Sequence, residues 1–155
     1  NLSRGLGDVY KRQINELTNT IGKKVQEIDN EILGLISSRD SDTKSSVGDK
    51  HETSRAKIQT EIDRLSKQMQ LLVNQVYDLK AIDFSKKHSA ISFGSLVFTN
   101  HGIYFISIGI GQYTFDNNSY YVISLASPIG KLLHNKQVGN EFSFRNNDYK
   151  IRKIF

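Results

Sequence analysis

Apolar residues in the first half of the chain recur at steps of three and four. They fall at Ile14, Leu17, Ile21, Val25, Ile28, Ile32 and Leu35, and again at Ile58, Ile62, Leu65, Met69, Leu72, Val76 and Leu79. That period is the signature of an amphipathic helix. The two sets mirror each other about Ser45. Folding the chain back on itself pairs Ile32 with Ile58, Ile28 with Ile62, Val25 with Leu65, Ile21 with Met69, Leu17 with Leu72 and Ile14 with Val76. One seam is filled from both sides, as an antiparallel coiled coil requires. At 1.5 Å per residue the arm from Ile14 to Ser45 is roughly 45 Å long. Between the arms, Ser37 to Ser46 contains five serines, one threonine and two aspartates but no apolar residue. These side chains compete with the helix for backbone hydrogen bonds, so a turn is expected there. The second helix is expected from about Asp49 to Ala81.

After Asp83 the period shortens. Phe93 to Thr99, Ile103 to Ile108, Gln112 to Phe115, Tyr120 to Ser124, Glu141 to Phe144 and Tyr149 to Phe155 are rich in β-branched and aromatic residues. Asn-His-Gly, Gly-Ile-Gly, Asp-Asn-Asn-Ser and Asn-Asn-Asp separate them. This reads as strands joined by turns. One helix interrupts them: Ser127 is a suitable N-cap and Pro128 suits the first helical position, so Ile129 to His134 should be helical. The expected fold is α+β, with a helical hairpin over residues 14–83, its tip near 39–49, and a small antiparallel sheet with one short helix over 84–155. Phe93, Phe98, Phe105, Phe115, Phe142 and Phe144 are expected to build the core of that sheet. An aromatic platform for nucleic acid is the alternative use of the same rings.

Charge sharpens this division. Lys and Arg number 10 against 12 Asp and Glu from Ile14 to Asp83, but 8 against 3 from Phe84 to Phe155. The second region is basic, which suits an acidic surface or nucleic acid, or simply a solvated face. The chain contains no cysteine, which excludes disulfides, thiolate metal sites and cysteine nucleophiles. No apolar run approaches the roughly 20 residues that span a bilayer, and no secretory leader is visible, so a cytoplasmic protein is expected. A seam satisfied within one chain leads us to expect a monomer.

Residues 1–13 stand apart. Leu2 to Gln13, LSRGLGDVYKRQ, resembles a translated sequencing-adapter read-through. It is therefore expected to be a non-native leader, with Val9 to Gln13 continuing the first helix passively.

Candidate chemistry gathers at the start of the second helix, in Gly48-Asp49-Lys50-His51-Glu52-Thr53. Carboxylates three residues apart share a helix face. Alone they make a poor metal site, because a hard divalent cation takes about six oxygen ligands. A partner would have to complete it. The same spacing also fits a capping box, with Asp49 capping and Glu52 reaching back. Asp40 and Asp42 add negative charge on the first arm and read as turn residues. Lys44, Lys50, Arg55 and Lys57 could meet RNA phosphate or simply keep an exposed helix soluble. His51, His88, His101 and His134 show no ligand spacing, and no nucleotide loop or nucleophile elbow is present.

Farther on come Ile123-Ser124-Leu125-Ala126-Ser127-Pro128-Ile129-Gly130-Lys131-Leu132-Leu133, then Lys136-Gln137-Val138-Gly139-Asn140-Glu141 and the terminal Tyr149 to Phe155 strand. Together with Gly-Asp-x-x-Glu near a hairpin tip, this order resembles the bacterial Gre transcript-cleavage factors over about residues 14–155. The resemblance implies an FKBP-like tail domain that docks on RNA polymerase through Ser127, Pro128 and Ile129. It also implies a hairpin that enters the secondary channel toward the nascent RNA. It further implies that Asp49 and Glu52 help hold Mg2+ shared with the polymerase and promote cleavage of backtracked RNA, with Arg55 and Lys57 near the transcript. Two other readings stand beside it: a non-catalytic regulator in the same channel, and a chaperone or prolyl-isomerase-like module.

Overall fold

A computed structural model of the chain describes residues 2–41 and 48–155, with the side chains of 2–6, 49 and 51 outside that description. Two helices, α1 (Leu2–Ser41) and α2 (Gly48–Lys80), precede strands β1 (Leu96–Thr99), β2 (Gly102–Ile106), β3 (Gly111–Phe115) and β4 (Asn118–Ile123). Helix α3 (Pro128–Leu133) and strands β5 (Glu141–Phe144) and β6 (Asn147–Ile154) follow. The chain divides into two compact units, one made of Asn15–Tyr77 and the other of Asn1–Ile14 with Asp78–Phe155. We call them the helical unit and the β unit.

In the helical unit, α1 and α2 pack along the seam that the apolar spacing specifies. Ile28, Ile32, Ile62 and Leu65 are buried together, with Leu35, Ile36, Ile58, Met69 and Leu72 packed against them. Only residues 42–47 lie between the helices, and Arg39 near the end of α1 donates to Gln59 early in α2 at 2.7 Å, so the pair runs antiparallel. Leu17 and Ile21 are buried and Val25 is half-buried. Ile14 and Leu79, assigned to the seam by periodicity, belong to the β unit instead. Helix α1 also continues through Ser37 and Ser38 to Ser41, past the start of the expected turn. There the Ser41 hydroxyl donates back to the Ser38 carbonyl at 3.0 Å, so serine supports the last turn. Of the expected tip near 39–49, residues 39–41 and 48–49 are helical, and 42–47, including Asp42 and Lys44, lie outside the described residues.

The β unit holds a six-stranded sheet in the order β3-β4-β2-β1-β6-β5. It is mixed, which corrects the expectation of an antiparallel sheet: β2 and β4 run parallel, with Tyr104 opposite Tyr121. The cause is local. Asp116 and Asn117 both have positive φ, the geometry of a two-residue hairpin turn that ties β3 to β4. Of the two strands, β4 carries the buried Val122 while β3 opens with exposed Gly111 and Gln112. The apolar strand takes the inside position and the polar one the edge, so β4 returns beside β2 in the same direction. Arg145 and Asn146 make the second positive-φ turn, between β5 and β6. Strand β6 is long enough to pair with β5 through its first half and β1 through its second, across an irregularity at Phe98/Thr99.

One face of the sheet is covered by α3. Ile91, Val97, Tyr104, Ile106, Leu133, Tyr149 and Ile151 form its buried cluster. Ser127 caps the helix: its hydroxyl accepts from the Gly130 amide at 3.1 Å and donates to the Ser124 carbonyl at 2.7 Å. Pro128 takes the first helical position, and Asn135, at φ 65°, ends the helix in the left-handed conformation. Residue 130 must be glycine, because a Cβ there would collide with the Ser124 carbonyl oxygen. Phe105 and Phe115 are buried and Phe98, Phe142 and Phe144 half-buried, but Phe93 is 37% exposed, contrary to its expected core role. It sits in the turn before β1 beside Gly94, whose φ of +90° bends the chain away from the extended path.

Residues 7–14 do more than extend α1. The Tyr10 hydroxyl donates to the Gly94 carbonyl at 2.6 Å, and its ring meets Phe84 and Phe105 edge-on. Gln13 donates to the Tyr120 hydroxyl at 2.6 Å. The passive continuation expected of Val9 to Gln13 is therefore corrected: two of these side chains are tied into the β unit.

Candidate functional site at the start of the second long helix

Helix α2 already includes Gly48, so Asp49 lies inside its first turn rather than ahead of it. Within the helix, Asp49 and Glu52, three residues apart, share one face. The Asp49 and His51 side chains lie outside the described residues. Glu52 is exposed, as are Lys50, Thr53, Ser54, Arg55, Ala56 and Lys57.

Spacing separates the cations into two groups. Lys50, Thr53, Ser54 and Lys57 follow the i, i+3, i+4, i+7 rule and line a shallow hollow of about 380 Å3. Two ammonium groups interleaved with two hydroxyls suit phosphate oxygens. Arg55 is not part of that stripe; it stands three residues from Glu52, on the acidic side of the helix. The two residues assigned together to nucleic acid, Arg55 and Lys57, thus fall on different faces. The stripe itself was readable from spacing alone, though Thr53 and Ser54 carry no charge to draw attention to it.

On α1, Arg39 bridges to Asp40 at 3.2 Å and also holds Gln59. Asp40, expected in the turn, lies instead in the last turn of α1, paired with Arg39. Among the described residues no group of three His, Cys, Asp or Glu could hold a metal ion. Two carboxylates on one helix face are hard oxygen donors, the type that Mg2+ takes, yet they fill only part of its shell. The residues present fit a shared ion and not a self-contained one.

Ser127, Pro128 and Ile129 occur in the β unit as the start of α3. Ser127 is engaged in capping, and Ile129 packs on the buried cluster beneath α3 while remaining half-exposed. Two of the histidines in the β unit have side-chain partners. His88 Nδ1 lies 2.9 Å from the Ser92 hydroxyl, and His101 Nε2 lies 2.9 Å from the Asp148 carbonyl while its ring packs on Tyr149. His134 is the C-cap of α3. No helix in the described residues is long and apolar enough to cross a membrane.

No protein-family model matches the chain, and no curated protein matches it.

Proposed function

We propose that this protein is a Gre-like regulator of bacterial RNA polymerase that acts through the secondary channel and stimulates cleavage of backtracked RNA. The observation that carries the reading is Glu52, exposed three residues after Asp49 in the first turns of α2, on an antiparallel helix pair joined by only six residues. Helix α1, by contrast, has no acid in its first turn. The Lys50, Thr53, Ser54 and Lys57 stripe beside them supports a partner rich in phosphate.

In this reading Asp49 and Glu52 contribute oxygen ligands and the polymerase supplies the rest. Shared Mg2+ would polarise the scissile phosphodiester and ready a water for attack. Asp49 and Glu52 position and neutralise charge without themselves needing to carry a proton. Lys50 and Lys57 hold the RNA backbone, and the half-exposed surface at Ser127, Pro128 and Ile129 is the docking contact of the β unit. The protein works as a cytoplasmic monomer whose FKBP-like tail has no activity of its own.

One observation favours a second reading, that of a non-catalytic regulator in the same channel. The exposed run after Glu52 is Thr53-Ser54-Arg55-Ala56, with no aromatic side chain to stack on the transcript. Stalled elongation complexes separate the two readings. With the catalytic reading, adding the protein shortens the RNA, and an Asp49→Ala, Glu52→Ala double variant loses at least about tenfold of that rate, equivalent to about 1.4 kcal/mol. Unchanged RNA with altered pausing supports the non-catalytic reading.

A further inference from the structure

The β unit contains a cleft of about 490 Å3 that the polymerase reading does not use. Its size falls within the range of small-molecule pockets. Leu96, Phe84, Ile154 and Phe155 supply an apolar floor, and Gly7 and Tyr10 one wall. The Tyr10 hydroxyl is spent on the Gly94 carbonyl, and burial raises its pKa far above that of an ordinary tyrosine, so it brings no negative charge.

The rim comes from one loop. Lys86 and Lys87 are exposed and His88 is half-buried. Asp83 is the one acidic side chain of the lining among the described residues, and its carboxylate is already engaged: it accepts from the Ser85 amide at 2.9 Å and the Ser85 hydroxyl at 2.6 Å. The Ser85 hydrogen bonds, and to a smaller degree the charge of Lys86, hold that carboxyl below its usual pKa, so Lys86 and Lys87 both remain as exposed cations at the rim, and Lys11 stands over the Phe84 ring at 6.0 Å. An apolar floor under a cationic rim selects a ligand with an apolar body and one anionic head.

From this cleft we infer a binding site for an amphipathic organic anion, a ring or short chain bearing a single carboxylate, sulfonate or phosphate, with its body on Phe84, Leu96 and Phe155 and its head at Lys86 and Lys87. The site is independent of the acids on α2, so its occupancy can be measured without polymerase.

Two fluorescent probes that share a ring system test it on the full chain: anilinonaphthalene sulfonate and the uncharged phenylnaphthylamine. The sulfonate should bind at least about tenfold more tightly, a difference of about 1.4 kcal/mol, with amide NMR shifts centred on Asp83 to Gly94. The double substitution Lys86→Glu, Lys87→Glu, on exposed side chains, should remove that preference and leave the uncharged probe unaffected. Phe84→Ala should weaken both probes. Equal affinity for the two probes, a preference that survives the lysine reversal, or shifts centred elsewhere would each overturn the assignment.

Discussion

The helical unit and the β unit bury their apolar side chains in different ways. In the helical unit the core is a line: Ile28, Ile32, Ile62 and Leu65 keep 3 to 8% of their surface exposed, and the residues flanking them are only half-buried. In the β unit Ile91, Val97, Ile106, Leu133 and Ile151 are fully enclosed. A seam between two helices has solvent on both sides, whereas a helix laid on a sheet closes the space completely. The difference separates roles: the line core leaves most of each helix free to carry polar side chains, and the closed core fixes a surface.

Core truncation tests that contrast most strongly. Ile151→Ala should cost about 4 kcal/mol, toward the upper part of the range for buried aliphatics, because nothing can relax into the space. Leu65→Ala should cost less, about 2 to 3 kcal/mol, since the partly exposed seam can admit water or close up. Denaturant unfolding followed by amide exchange in each unit would read both. A larger loss at Leu65 than at Ile151 would contradict the distinction.

A smaller effect is expected at the cap of α3. Ser127→Ala removes the acceptor for the Gly130 amide and should cost about 1 kcal/mol, seen as a lowered urea midpoint. A loss of RNA cleavage far beyond that small destabilisation would place Ser127 in the docking contact as well.

The smallest effect concerns pH. Burial, and secondarily the nearby Lys86, lowers the His88 pKa below its ordinary value. Between that folded value and the unfolded value of about 6.5 the unfolded chain binds more protons, so stability rises with pH in that window and is lost as pH falls below about 6.5. Urea midpoints should drop on acidification below this value, and His88→Gln should flatten the slope. An unchanged slope would show that His88 is not the titrating group.

The same contrast governs what could be read from the chain itself. Helix periodicity is a local signal, and it located the seam through Ile28, Ile32, Ile62 and Leu65. Turn chemistry is local too: the Asp116-Asn117 reversal falls within the expected Asp-Asn-Asn-Ser segment, the Arg145-Asn146 reversal begins one residue before the expected Asn-Asn-Asp, whose last two residues join β6 instead, β5 spans the expected Glu141 to Phe144, and the Ser127 cap with Pro128 begins α3 as expected. Strand order is not local. The parallel pairing of β2 and β4 depends on which strand of a hairpin is the more apolar, and an antiparallel arrangement was equally compatible with the spacing. Phe93 misled because a β-favouring aromatic says nothing of the positive φ required by the next residue. The engagement of Tyr10 and Gln13 depends on partners as far along the chain as Gly94 and Tyr120, beyond any window of periodicity. Asp49 and Glu52 were legible as a pair, but their face relative to the Lys50, Thr53, Ser54 and Lys57 stripe required a helix that already contains Gly48.

The central claim is that the start of α2 works inside another protein's catalytic cavity. A photocrosslinking side chain placed at Lys50, in the full chain bound to a stalled bacterial elongation complex, tests it directly. The account predicts crosslinks to the polymerase active-centre region and to the end of the backtracked RNA. Crosslinks confined to the outer surface of the polymerase, with none to RNA, would contradict it.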